Sequence, residues 1–298
     1  MEPDGIILID KPKGITSHDT VYRLRRLLRT KKTGHTGTLD PDATGLLVVL
    51  VGRAAKAAEY IVSDEKEYEA VLRLGVSTDT QDTGGKIISE CENIPEADAV
   101  CDIISSFEGE YMQTPPMYSA LKQNGRKLVD LARRGIEIDR EPRTVEIKQI
   151  KAERINETDY KMTVKCSKGT YIRTLCDDIG KKLGCGGCMA SLRRTKSGGY
   201  DIENALTLDE CESMTYEQLC EKLIPAETLF TSLPVIQLSG FFLKLCKSGC
   251  EIYQKKINTE YELGQRVRLY DEEGFFALGE IREFEDGSAV KSIKVFRL

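Results

Sequence analysis

Apolar residues recur along this chain in short runs and at two periods. Ile6-Ile7-Leu8-Ile9 runs into the turn Asp10-Lys11-Pro12-Lys13-Gly14, the pattern of a short buried strand. Leu46 to Val51 repeats that pattern directly after a Gly- and Thr-rich stretch. Tyr68, Ala70, Leu72, Leu74 and Val76 alternate with other residues, which predicts a half-buried strand. Helical spacing is equally clear. Val21, Leu24 and Leu28 share a face behind Ser17, which reads as the N-cap of a helix to about Arg29. Val100, Ile103, Ile104 and Phe107 form a second stripe. Ile172, Leu175, Ile179 and Leu183 form a third that stops at Gly184. Weaker patterns predict an Ala-rich helix from Arg53 to Val62, a helix from Arg126 to Arg134 and strands near 143–154 and 160–166. Asp79 to Gly85 is a polar loop. Gln113 to Lys122 is too proline-rich for regular structure and too apolar for a free linker.

Strands interleaved with helices, several pairs close enough for antiparallel pairing, imply a mixed α/β (α+β) protein rather than a doubly wound one. The expected architecture is a largely antiparallel central sheet flanked by helices, over residues 1–230. An acidic segment (201–227) and Ser232-Leu233-Pro234 then mark a change. Beyond it, strand patterns at 267–270, 275–281 and 293–296, punctuated by glycines, predict a small β domain over 234–298.

Composition narrows this picture. The 298 residues, 40% of them hydrophobic, suffice for a large core without disulfide staples. No apolar run approaches the ~18 residues of a membrane span, and the acidic start, Met1-Glu2-Pro3-Asp4, shows no secretory signal. No membrane association is expected, and cytoplasm is the expected compartment. The ten cysteines then read as reduced thiols. Cys185-Gly186-Gly187-Cys188 has metal-knuckle spacing, but only Cys246 and Cys250 offer a complement, so no metal is expected. A net charge of −5 argues against a nucleic-acid partner, yet residues 23–32 carry six basic side chains and no acidic one. Residues 165–196 carry eight basic against two acidic. The mean conceals two basic segments.

The chemistry concentrates in Gly34 to Gly45, where three glycines, three threonines, His35 and two aspartates fall within twelve residues. The stretch presents Asp40 on a tight loop anchored by the apolar run that follows, which suits a reactive carboxylate. Asp40-Pro41 is equally a common turn dipeptide. His18 and His35 are the only histidines, and neither nucleotide-binding glycine motif is present. Tyr68, Tyr171 and Arg173 could accompany a carboxylate, because an arginine favours its charged form and aromatic rings stack on an extruded base. Taken singly, each tyrosine reads first as core packing and Arg173 first as a surface charge.

Six segments change that balance by their order. They are Asp10-Lys11-Pro12-x-Gly14, Gly34 to Gly45, Lys66-x-Tyr68-x-Ala70, Pro115-Pro116-x-Tyr118-Ser119-Ala120-x-Lys122, Ser167 to Arg173 and Leu192-Arg193-Arg194. Together they resemble the motif series of the bacterial tRNA pseudouridine-55 synthases, the TruB family, over about residues 4–200. The resemblance implies a pseudouridine synthase fold with a PUA-like C-terminal β domain. It implies isomerisation of uridine 55 in the TΨC loop of tRNA. The base is flipped out, the N1–C1′ bond broken, the uracil turned and C5 joined to C1′. Asp40 matches the essential aspartate, and whether it attacks base or sugar, or assists elimination at C2′, stays open. Tyr68 matches the tyrosine that stacks on the flipped base, also a candidate for abstracting the C5 proton. Arg173 matches the arginine paired with the carboxylate. Tyr171 and Leu192 match pocket positions, and His35 the histidine that enters the T-loop. Lys11 and Lys122 fall in motifs expected to contact substrate. Residues 117–148, with Lys122, Arg126, Lys127, Arg133 and Arg134, resemble a mobile insertion that closes over the RNA. Cys188 stands where relatives often carry histidine. No cofactor, no obligate protein partner and a monomer are implied, with the T-arm of tRNA as partner.

Two other readings compete. An RNA-binding or folding helper would need the groove but not Asp40. A carboxylate glycoside hydrolase would share the chemistry at C1′ but require a second positioned carboxylate and would release free uracil.

Overall fold

The computed structural model of the chain describes residues 2–61, 65–123 and 125–297, without the side chains of Lys122 and Lys127. Its frame is a ten-stranded sheet in the order Leu206–Thr207, Gly5–Lys11, Thr44–Val51, Gly187–Ser197, Lys66–Leu74, Asp159–Cys166, Arg143–Arg154 and Gly109–Gln113. Thr33–His35 and Tyr200–Asp201 pair alongside this path. Two of its pairings are parallel and the rest antiparallel, as the alternating patterns imply.

The two halves of the sheet meet at a seam between Thr44–Val51 and Gly187–Ser197, where Arg193 faces Thr44 and Arg194 faces Gly45. Gly45 has φ +101°, and a Cβ there would stand 2.3 Å from the Arg194 carbonyl oxygen, so only glycine closes the seam. The strand at 187–197 was not visible as a hydrophobic pattern, because its run Ser191-Leu192-Arg193-Arg194-Thr195-Lys196 is mostly polar. It is nonetheless central, pairing with Lys66–Leu74 through Leu192↔Ala70 and Arg194↔Tyr68.

Beneath the sheet the helix Ile172–Leu183 buries Leu175, Cys176 and Ile179 against Leu72, Tyr160, Met162 and Val164. Gly184 ends it in the left-handed conformation, as its place after the last apolar residue predicts. Gly180 lies so close to the next strand that a Cβ would meet the Gly187 nitrogen at 2.1 Å. The Cys185-Gly186-Gly187-Cys188 spacing is therefore a packing turn. Both cysteines are buried, and burial pushes the Cys188 thiol up to about 11. Among the described residues no group of three or more His, Cys, Asp or Glu side chains is arranged to hold a metal.

Several local expectations need correction. Thr16, not Ser17, caps the first helix (Ser17–Leu27): its hydroxyl accepts from the Asp19 N–H, and the Asp19 carboxylate accepts from the Thr16 N–H. The Ala-rich helix is a 3₁₀ helix, Gly52–Tyr60, whose buried Ala54 and Ala57 and half-buried Tyr60 recur every three residues. Val62, its expected end, lies outside the described residues. Arg126–Lys127 pairs with Lys122–Gln123 as a hairpin, leaving only Leu128–Ala132 helical. The acidic segment holds two short helices, Leu208–Ser213 and Tyr216–Glu221, each opened by a Thr-x-x-Glu or Thr-x-x-Gln capping box.

Beyond Pro234 a five-stranded sheet runs Val235–Gln237, Arg266–Asp271, Gly274–Phe284, Gly287–Val295, Ile252–Tyr253. It encloses its own core around Ile236, Val267, Leu269, Phe276 and Val290, and carries a helix, Gly240–Lys247, that strand patterning did not anticipate. Phe230, Leu278 and Phe296 pack with Ala57 to join this domain to the larger sheet.

One half-buried acid on the central helix, Asp178, gives a stability prediction. Burial raises the Asp178 carboxyl from its ordinary value to about 6. A raised folded pKa means that stability is fully present below the unfolded value near 4 and is lost as pH rises through about 6. Asp178→Asn is expected to stabilise the protein at pH 8 by on the order of 1–2 kcal/mol, discounted for partial exposure, and to give no gain at pH 4. Thermal unfolding at the two pH values measures it; an equal change at both would refute the assignment.

Candidate active site

The Asp40 loop hangs from the seam and is fastened on both sides of the aspartate. Ser17 is buried, and its hydroxyl donates to the Leu39 carbonyl at 3.0 Å and accepts from the Leu39 N–H at 2.8 Å. The Pro41 carbonyl accepts from the Gly14 N–H at 2.9 Å and from Lys11 Nζ at 3.1 Å. Arg194, 1% exposed, donates from Nη2 to the Gly37 carbonyl and from Nε to the Leu46 carbonyl. The loop is thereby pinned at 37, 39, 41 and 46 while the Asp40 side chain stays 44% exposed. A turn-forming aspartate would spend its carboxylate on the turn; this one faces outward to Arg173.

Arg173 is the second residue of the helix Ile172–Leu183 and is only 6% exposed. Its Nε lies 2.9 Å from Asp40 Oδ2. Nη1 donates to the Thr80 carbonyl at 2.9 Å, with Asp82 Oδ2 at 3.8 Å, and Nη2 donates to the Tyr118 carbonyl at 2.7 Å. All three nitrogens are committed, so the guanidinium is a fixed platform rather than a surface charge. Gln113 sets the start of the helix: its amide accepts from the Tyr171 N–H at 2.8 Å and donates to the Tyr171 carbonyl at 3.1 Å.

Asp40, Tyr68, Tyr171, Arg173 and Leu192 all line one cavity of 480 Å³, within the range of small-ligand sites. Tyr68 reaches it from the strand beside Leu192 and is 7% exposed. Tyr118, Ser119, Leu121 and Val129 come from the segment beginning at 117 and form the opposite wall. Burial raises the Tyr171 hydroxyl above its ordinary value, so it stays protonated near neutral pH. Asp40 is the carboxylate of this cavity, and Asp42 and Asp82 line an adjoining one that shares Asp40, Arg173 and Leu192.

Three expected contacts fall elsewhere. Lys11 is fully buried, with Nζ donating to the carbonyls of Pro12, Ile15 and Pro41, so it braces the loop and cannot reach a substrate as placed. Lys11→Met is expected to lower unfolding stability by about 1–3 kcal/mol, since three carbonyls lose a charged donor; denaturant titration measures this, and a change within error would refute the brace. His35 does not line the cavity; it sits on the edge strand Thr33–His35, and burial and the Arg194 charge hold its imidazole below the ordinary range, hence neutral. Lys122 belongs to the hairpin of the wall segment, and its side chain lies outside the described residues.

Sequence reading did not single out Ser17, Thr80, Asp82, Gln113 or Arg194 as parts of this site. Asp82 lay in a recognisably polar loop, but its approach to Arg173 is a contact over 91 positions that no local pattern reports.

The comparisons agree with this geometry. Residues 25–172 match the TruB family pseudouridylate synthase (N terminal domain), and residues 173–231 match the tRNA pseudouridylate synthase B C-terminal domain. A tRNA pseudouridine synthase B of Clostridium tetani is 42% identical over 93% of this chain and 95% of its own length. That of Alkaliphilus oremlandii is 42% identical over 99% and 98%. Among solved structures, a Cbf5-Nop10-Gar1 complex contains a chain that is 28% identical, superposing with TM-score 0.74 over 99% of this chain and 85% of its own. With a fixed carboxylate–guanidinium pair in a tyrosine-lined cavity and relatives matched nearly end to end, the chain belongs to the TruB family of pseudouridylate synthases.

Proposed function

We propose that this chain converts uridine 55 in the T-loop of tRNA to pseudouridine, with Asp40 as the group that acts on the flipped nucleotide. The observation that carries the reading is the Asp40–Arg173 pair, 2.9 Å apart at the wall of the cavity that Tyr68 lines. The reaction is an isomerisation: N1–C1′ breaks, C5–C1′ forms, the proton on C5 leaves and N1 gains one. It needs no redox partner and no water in the product. Arg173 holds the carboxylate in place, the Tyr68 ring stacks on the base, and Leu192 with Tyr171 bounds the space in which uracil turns. Glycoside hydrolysis needs a second positioned carboxylate and a water path, and it would release the free base, so the product separates the two reactions.

The wall segment from 117, expected to run to 148 but ending where the sheet strand Arg143–Arg154 begins, is read as the part that closes over the RNA, with Arg126, Arg133 and Arg134 and the lysines 122 and 127 meeting phosphates; binding then weakens with salt. His35 is read as entering the T-loop from the rim. Residues 234–298 are read as a PUA-like appendage to a catalytic domain over 1–230. Among the described residues no helix is long and apolar enough to cross a membrane. We place the protein in the cytoplasm as a monomer acting without a cofactor or an obligate protein partner.

The test uses a T-arm stem-loop transcript tritiated at uracil C5, incubated with the protein at low and moderate salt. Tritium release mapping to one T-loop uridine is expected, without free uracil. Free uracil would establish a hydrolase; tight binding without release would leave a helper.

A further inference from the structure

The loop at 79–85 brings the Thr80 carbonyl and the Asp82 carboxylate to one nitrogen of Arg173, and a single side chain ties that loop to the helix Arg173 stands on. Gln81 Nε2 donates to Asp177 Oδ2 at 2.8 Å, and Gln81 Oε1 accepts from Thr174 Oγ1 at 2.9 Å. Thr174 and Asp177 are both buried and lie one and four residues after Arg173 in sequence. Both ends of the amide are used, which fixes its orientation as well as its position.

Gln81 also adopts φ +64°, one of three non-glycine residues in the left-handed region among those described. That backbone reversal sends the Gln81 side chain to the helix while its two neighbours face the guanidinium. On the other side, the Gln81 carbonyl accepts from the Met189 N–H, and the Thr83 N–H donates to the Met189 carbonyl, both at 3.0 Å. The loop is thus a bridge between the central strand and the helix, with Arg173 at its middle. Neutralising Asp177 does not explain the contact, because Lys181 Nζ already lies 2.7 Å from the same carboxylate oxygen.

We propose that Gln81 is a positioning residue for the isomerisation: its amide latches the 79–85 loop to the helix and so aims the Thr80 carbonyl and Asp82 at Arg173, which in turn orients Asp40. The proposal rests on the reading of Asp40 and Arg173 as the pair that acts on the nucleotide. Arginine side chains have many rotamers, and the ion pair to a half-exposed carboxylate does not by itself select one. The latch supplies that selection.

Gln81→Met keeps the side-chain length and the backbone conformation but removes the amide. Gln81→Gly removes the amide and relieves the left-handed backbone, and matched thermal unfolding of both variants separates a lost latch from a lost fold. Both full-length variants are compared with wild type, Asp40→Asn and Arg173→Lys in single-turnover tritium release, T-arm binding, and the NMR signal of the Arg173 Nε–H. Both are expected to lose on the order of tenfold to a hundredfold in rate. Their binding should stay within about threefold of wild type, and the Arg173 Nε–H signal should move. Full rate with an unmoved signal in both variants, or a rate loss matched by an equal loss of binding, overturns the latch. Undiminished release by Asp40→Asn would instead overturn the underlying reading of the site, whatever the Gln81 variants do.

Discussion

Asp40→Asn is expected to lower single-turnover tritium release from a T-arm substrate by on the order of a thousandfold or more, with RNA affinity held within about threefold. The reasoning begins with the loop. Its anchors at Gly37, Leu39, Pro41 and Leu46 are all backbone groups, received by Arg194, Ser17, Gly14 and Lys11. None of them involves the Asp40 side chain, so the amide variant keeps the fold of the loop. Asn can still accept from Arg173 Nε through its oxygen, so the cavity keeps its shape. What disappears is the negative charge and with it the capacity to bond to, or draw a proton from, the nucleotide. On the proposed reading, binding rests on the basic wall and stacking surfaces, which the substitution leaves alone. The prediction separates the isomerase from an RNA-binding helper, for which Asp40→Asn would be silent, and comparable release by variant and wild type would sink the enzyme reading. Matched thermal unfolding of the two proteins guards against a trivial loss of structure.

How much of this site could be seen beforehand depends on how local each signal is. Strands with two-residue alternation or unbroken apolar runs, such as Gly5–Lys11, Thr44–Val51 and Lys66–Leu74, were legible because burial of one or both faces writes itself into adjacent residues. Gly187–Ser197 was not: its centrality comes from Arg193 and Arg194, whose charges are absorbed by Asp10 and by backbone carbonyls far away in sequence. The two helices at 208–213 and 216–221 were marked by Thr-x-x-Glu and Thr-x-x-Gln, a signal present but outweighed by the acidity of the segment. Asp40 was marked by its own Gly- and Thr-rich loop, whereas the preference for Tyr68 and Arg173 as its partners over core packing and surface charge came from motifs that occur in order. Their common cavity is a tertiary fact. Lys11 shows the converse error, for a lysine in a shared motif suggested substrate, whereas its burial makes it part of the scaffold.

Arg173→Lys is the second large effect, and it should differ in kind. The ammonium of lysine is one compact group, while the guanidinium reaches Asp40, the Thr80 carbonyl and the Tyr118 carbonyl from three separate nitrogens. A lysine that satisfies Asp40 leaves both carbonyls without their donor, and each such loss in a buried setting costs about 1–3 kcal/mol. Unfolding stability is therefore expected to fall by about 2–4 kcal/mol, in contrast to Asp40→Asn. The rate is expected to fall on the order of a hundredfold to a thousandfold, because the charge survives but the carboxylate is no longer held in register with the stacked base. The Tyr118 carbonyl belongs to the segment that forms the cavity's opposite wall, so the same substitution loosens that wall and should weaken RNA binding several-fold. The signature is thus a combined loss of rate, affinity and stability, read by single-turnover release, filter binding and denaturant titration on one preparation. A lysine variant with wild-type stability and rate would mean that Arg173 serves only as a counter-charge, and the three-nitrogen platform would carry no part of the catalysis.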